Sequence, residues 1–307
     1  MMGNKEHYIA QVALLLDCLP ALKDQSVFAL KGGTAINFFI QDLPRLSIDI
    51  DLTFLNNSER SLAFREIEEG LRVLGESISK RNKKYKIKEL KTREGQLQKL
   101  IVMNDVAQIK IETSFIMRTT LLPTIKMNIK KVVEDKFAFG VKDIPVVATE
   151  ELYAGKICAA LSRQHPRDFF DIKGLLEKQG VTDGVRQAFV IYLVCSPRPM
   201  HELLKPHLIV LDTVYENEFV NMTEIPVSLE TLLETREKLI KIINQELSHN
   251  ERKFILSVKQ GQPDYSLMPF DHLDEFPALK WKIINIQKMD RKKHVRMIEQ
   301  LGEVLAL

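Results

Sequence analysis

The chain has 307 residues, 45% of them hydrophobic and 28% charged, with a formal net charge of +3. That is enough apolar side chain for one large or two ordinary cored domains, and too much for a disordered chain. No apolar run reaches the roughly 18 residues of a membrane span, and three widely spaced cysteines, Cys18, Cys158 and Cys195, support neither a disulfide framework nor a zinc site. The polar start, Met1 to Tyr8, lacks the apolar core of a signal peptide. With the cysteine usage it predicts a reducing, cytoplasmic location.

Apolar positions Ile9, Val12, Ala13, Leu15, Leu16 and Leu19 recur at helical spacing until Pro20 interrupts them. Val27 to Leu30 is a short apolar run, read as a strand. It feeds Lys31-Gly32-Gly33-Thr34, a tight turn into a short helix that Pro44 closes after Leu43. Thr34 suits an N-cap, and the N–H groups at such a helix start form an anion site. The stretch Leu46 to Phe54 alternates apolar and polar residues and reads as a strand. Ser47, Asp49 and Asp51 therefore share one face. Adjacent carboxylates repel unless a cation lies between them, and oxygen donors at this spacing suit a hard ion such as Mg²⁺. The Ser47 hydroxyl is placed to orient Asp49. A phosphate on it would add about −1.5 to −2 charges beside the carboxylates, which makes Ser47 a candidate regulatory position. Taken singly, a Gly-Gly pair is a turn and a DxD strand is a solvated face. In this order they amount to a phosphate cradle followed by a metal-binding pair, the equipment for moving a nucleotidyl group.

A helix is predicted from about Ser61 to Ser79, then a meander of strands at Tyr85–Lys91, Gln98–Asn104 and Val106–Phe115. On the last strand Gln108, Lys110 and Glu112 share one face. From Lys80 to Lys142 there are 16 Lys/Arg against 6 Asp/Glu, a net of +10, so the rest of the chain carries −7. That asymmetry suits either a solvated set of strands and loops or a face that holds a polyanion. Thr149 is placed to cap a helix that runs to Arg163, with Lys156 and Arg163 seven apart on one face. Pro166 opens the next helix, where Asp168 and Asp171 lie three apart opposite an apolar side of Phe169, Ile172, Leu175 and Leu176. His165 reads as a loop or cap residue rather than a base. From about Gly180 the chain is helical, with long periodic stretches at Thr182–Cys195, Ser228–Asn250 and Phe276–Leu307.

Gly-Gly-Thr followed by Ser-x-Asp-x-Asp resembles the first motif of polymerase-beta-like nucleotidyltransferases, with Thr34 where serine is commoner and a long gap from Gly33 to Asp49. More narrowly, Lys31-Gly-Gly-Thr-Ala with Pro44-Arg-x-Ser-x-Asp-Ile-Asp-Leu resembles the AbiEii/AbiGii toxins, which include the MenT toxins. The segment from Glu150 through Lys156 and Arg163 to Asp171 is similar to the same family, and the likeness covers nearly the whole chain. It implies a nucleotidyltransferase-like mixed sheet with flanking helices over residues 1–180, then a mainly helical domain over 181–307. It implies a Mg²⁺-dependent toxin of a toxin–antitoxin or phage-defence pair, moving a nucleoside monophosphate from an NTP to an acceptor such as a tRNA end, with a cognate antitoxin as partner. Asp49 and Asp51 would be the metal ligands, with Glu112 a third ligand or a neighbour of one. Gly33 and Thr34 would cradle phosphates, with Ser47, Lys110 and Arg163 around the nucleotide. Lys156 would stabilise triphosphate charge, and Asp168 or, by its distance from Lys156, Asp171 would complete the site. A protein or small-molecule acceptor, or nucleotide or RNA binding without turnover, are the other readings.

Overall fold

The computed structural model describes residues 2–307. By its contacts the chain divides into two compact units, one of residues up to Leu152 with Val220–Pro226, the other of Tyr153–Phe219 with Val227–Leu307. The sequence placed the boundary at the Gly180 turn. The contacts divide the chain earlier because helix α6 (Pro166–Lys178) packs on α10 (Leu229–Glu246) and so belongs with the later helices.

The first unit is built on a mixed sheet. Its described strands are β1 (Phe28–Lys31), β2 (Asp49–Phe54), β3 (Lys86–Lys91), β4 (Leu97–Met103), β5 (Gln108–Thr113), β6 (Ile125–Met127) and β7 (Ile144–Val146), in the order β3-β4-β5-β2-β1-β7-β6. The expected meander is β3-β4-β5, antiparallel throughout, and β5 then lies parallel to β2. One sheet face is apolar: Ile50, Ile111 and Leu100 stand in cross-strand register and are buried. Helix α3 (Arg60–Arg81) covers that face through buried Ile67, Leu71, Leu74 and Ile78, with Gly75 directly over Leu100 and Ile87. Helices α1 (Met2–Cys18), α2 (Gly32–Ala35) and α4 (Lys131–Phe137) complete the unit, together with the start of α5 (Thr149–Arg163). Strand β2 begins at Asp49 rather than Leu46, because the Leu46 N–H bonds to the carbonyl of Met222 at 2.8 Å and Arg45 bridges to Thr223. Strand β6 and helix α4 had no sequence signal. Three and seven residues are too few for a period to show.

The second unit takes the rest of α5, then α6, α7 (Asp183–Cys195), α8 (Met200–Leu204), α9 (Asp212–Glu218), α10, α11 (His249–Gln260), α12 (Pro277–Gln287) and α13 (Arg291–Leu305). Two of the long periodic stretches are each interrupted once. Ser248 opens α11 with a reciprocal capping box to Glu251, and Asp290 opens α13 by accepting from the Lys293 N–H. No helix among the described residues is long and apolar enough to cross a membrane. The three cysteines are free, and burial pushes their thiols up, away from reactivity.

Candidate active site

The sheet face opposite α3 carries the charges. Register fixes them in rows. Lys31 on β1, Asp51 on β2, Glu112 on β5 and Lys99 on β4 are successive cross-strand partners, and Leu90 of β3 ends the row. The next row is Asp49, Lys110, Ile101 and Lys88. Asp49 and Asp51 thus share one face as expected, and both are half-buried between buried Ile50 and Leu52. Lys99 donates to Glu112 at 2.7 Å and Lys110 lies 3.5 Å from its other oxygen. Burial alone would raise the Glu112 pKa. The two lysines outweigh it and hold the carboxyl below its ordinary value.

Lys31 joins this charged row, and the pattern did not single it out. It sits at the end of β1 directly opposite Asp51. Burial pulls its ammonium pKa down, while Asp51, Glu112 and Glu151 oppose the shift. Glu151, in the first turn of α5, is itself buried and accepts the Leu122 N–H at 2.9 Å.

Gly32 follows Lys31 at φ +74°, a conformation that favours glycine. A Cβ there would stand 2.2 Å from Asp51 Oδ2. The turn therefore needs glycine both for its backbone and for the carboxylate packed against it. Gly32→Ala is expected to cost about 1–3 kcal/mol through strain alone. It should also displace Asp51, which lowered activity in a variant that remains folded by circular dichroism would report. Thr34 lies inside α2 rather than at its N-cap, which is Lys31. Its buried hydroxyl donates to the Asp49 carbonyl at 2.6 Å and hydrogen-bonds Ser47 Oγ at 2.9 Å. The side chains of Thr34 and Ser47 thus tie the Gly-Gly turn to the start of β2. The Ser47 hydroxyl is thus engaged with Thr34. It is buried, and a Cβ on Gly33 would lie 3.2 Å from its oxygen and 2.6 Å from Arg45 Nη2, so the turn needs glycine here as well.

Among the described residues no three His, Cys, Asp or Glu side chains gather as metal ligands. Asp49 and Asp51 offer a hard cation two carboxylates, and Glu112 is turned to its lysines. That set fits Mg²⁺, which is usually held by one or two carboxylates, with substrate phosphates and water filling its other positions.

In the second unit Lys156, Arg163, Asp168 and Asp171 form one cluster. The buried Lys156 ammonium is 2.8 Å from Asp171 and 3.2 Å from Asp168. Arg163 grips Asp168 with Nε at 2.6 Å and Nη2 at 2.8 Å, a bidentate pair. Two cations face two fully buried carboxylates, so the formal charges cancel. His165 caps α6: its Nδ1 accepts the Arg167 N–H at 3.1 Å, leaving Nε2–H to donate to Glu218, also at 3.1 Å.

Burial would raise the Asp168 pKa, but the Lys156 charge and the Arg163 bonds hold the carboxyl well below the ordinary range. A folded pKa below the unfolded one, about 3.9, means stability that is complete above that value and lost as pH falls toward the folded pKa. The urea midpoint is therefore expected to drop steeply below about pH 4. In Asp168→Asn the drop should be shallower. An identical slope in the two proteins would show that this carboxyl does not contribute.

The family model for the nucleotidyl transferase AbiEii toxin, type IV toxin–antitoxin system, matches residues 13–283. The fold is similar to that of MenT4, a nucleotidyltransferase toxin of Mycobacterium tuberculosis H37Rv, at 17% identity and a TM-score of 0.58, covering 92% of this chain and 97% of that one. Terminal uridylyl transferase 4 of Trypanosoma brucei with bound dUTP aligns over 98% of this chain and 93% of its own, at 12% identity and a TM-score of 0.30. No curated protein matches the sequence.

Proposed function

Because the chain belongs to the AbiEii family of nucleotidyltransferase toxins, we propose that it transfers a nucleoside monophosphate from an NTP to the 3′ end of an RNA, with tRNA as the acceptor, in the cytosol and under the control of an antitoxin. The observation that carries this reading is the charged sheet face, where Asp49 and Asp51 lie beside a row of lysines. Asp49 and Asp51 would hold Mg²⁺, which when bound neutralises phosphate charge and acidifies an attacking hydroxyl. The chain's own groups do the rest. Gly32 leaves the space that Asp51 occupies. Thr34 and Ser47 hold the Gly33 turn, whose backbone N–H groups would face phosphate oxygens, against β2. Lys31 opposes the charge of Asp51, and Glu112 keeps Lys99 and Lys110 directed over the face. The acceptor hydroxyl oxygen bonds to the α-phosphorus, and the bond to the β-phosphate breaks to release pyrophosphate.

A polyanionic acceptor suits this face better than a small one. Lys86 and Lys88 extend the charge of Lys99 and Lys110 outward from the aspartates to the exposed edge strand. Exposed lysines that contact phosphates give binding that weakens with salt. The test is a transfer assay with each α-labelled NTP on total RNA and total protein. Label is expected in small RNA, requiring Mg²⁺ and abolished by a chelator. Lys88→Glu should raise KM for RNA severalfold and leave KM for the NTP unchanged. Label confined to protein, or no transfer with any NTP, would overturn the proposal.

A further inference from the structure

The helical unit contains a cavity of about 230 Å³ whose charge balance differs from that of the Lys156 cluster. Lys259, near the end of α11, lines it and is 4% exposed. Its ammonium has two hydrogen-bond partners, the thioether sulfurs of Met297 at 3.6 Å and Met289 at 3.9 Å. A thioether is a weak acceptor. A buried cation with no better partner is costly to keep. Lys282 of α12 lines the same cavity, with Nζ donating to the Ser196 carbonyl at 2.5 Å. Burial, then Lys282 and then Lys293 of α13, pull the Lys259 pKa down to about 8. Two cations thus line the cavity, and among the described residues neither Lys259 nor Lys282 forms a salt bridge with a carboxylate. The remaining wall is soft and apolar, from Ile286, Met289 and Met297, and the Asn285 amide also borders it.

We propose that this cavity binds a phosphate monoester, with the phosphoryl group between Lys259 and Lys282 and the organic body against Met289, Met297 and Ile286. A monoester carries about −1.5 to −2 charges near neutral pH, the complement of two ammonium groups. Methionine side chains adapt to an irregular body. The ligand's phosphate has two sources, a free mononucleotide or the 5′ end of an RNA. The inference does not rest on the reading of the β2 face.

Binding is measured on the full chain in a chelator and at fixed ionic strength, and each probe is read as the difference between the chain and its Lys259→Met variant, so that the β2 face, common to both, cancels. The probes are inorganic phosphate, AMP, and one RNA hexamer with and without a 5′-phosphate. The expected result is a saturable rise in Tm with phosphate and broadening of its ³¹P resonance. Lys259→Met should weaken both at least tenfold while melting no lower than its parent without ligand, because an uncompensated buried charge has been removed. If Lys259→Met does not fold, Lys282→Met takes its place with the same expected loss. Preference for AMP assigns a free nucleotide. Preference for the phosphorylated over the unphosphorylated hexamer assigns an RNA end. No phosphate-specific effect on the parent, or undiminished binding in the lysine variants, overturns the proposal.

Discussion

Asp49→Ala and Asp51→Ala are each expected to reduce nucleotidyl transfer by about 100-fold or more, the scale of losing a preorganised electrostatic group. Neither should unfold the protein. Both carboxylates are half-buried on the outer face of β2, and their removal leaves the apolar Ile50, Leu52 and Phe54 layer intact. The two variants should still differ in detail. Asp49 stands opposite Lys110, whereas Asp51 stands opposite Lys31 and beneath the Gly32 turn. Asp51→Ala removes the carboxylate that most opposes the burial of Lys31, so the Lys31 pKa should fall further. Asp51→Asn keeps the shape under Gly32 and should be equally inactive with a melting temperature nearer wild type. The checks are turnover at saturating Mg²⁺ and a thermal melt on the same samples. Wild-type turnover in either alanine variant would remove the carboxylate pair from the mechanism.

What could be read without a structure followed from local period and spacing. Alternation put Asp49 and Asp51 on one face, and the i, i+3 spacing put Asp168 and Asp171 on one side of a helix. The partners of those residues lie elsewhere in the chain. Lys31 is 20 positions from Asp51, on a four-residue strand too short to show a face, and only the antiparallel register of β1 and β2 makes them neighbours. Lys99 meets Glu112 by register across the β4–β5 hairpin. Thr34 carried a real capping signal, but the tertiary bond to the Asp49 carbonyl prevailed over it. The sequence singled out Lys156 as a cation on a helix face. That two buried carboxylates share it is visible only once α6 folds back beside α5.

Lys156→Ala is the substitution for which stability and turnover must be separated. It leaves Asp168 and Asp171 buried with only Arg163 among the cluster's cations, and breaking a buried pair in this way costs about 3–5 kcal/mol. Lost activity alone would therefore not identify a functional lysine. The charge count supplies the control. Removing Lys156 and Asp171 together leaves the bidentate Arg163–Asp168 pair, which is neutral by itself. Lys156→Met with Asp171→Leu is thus expected to regain most of the stability that Lys156→Ala loses. Under the reading in which Lys156 also stabilises charge on the NTP, this double variant stays at least tenfold below wild type in turnover at a temperature where it is fully folded. Lys156→Arg should recover only part of the activity, because a planar fork does not fit where a point charge meets two carboxylates. If turnover returns together with stability in the double variant, the cluster is a structural clamp between α5 and α6. If Lys110→Ala is inactive while the double variant works, the lysine that serves the nucleotide is the one opposite Asp49.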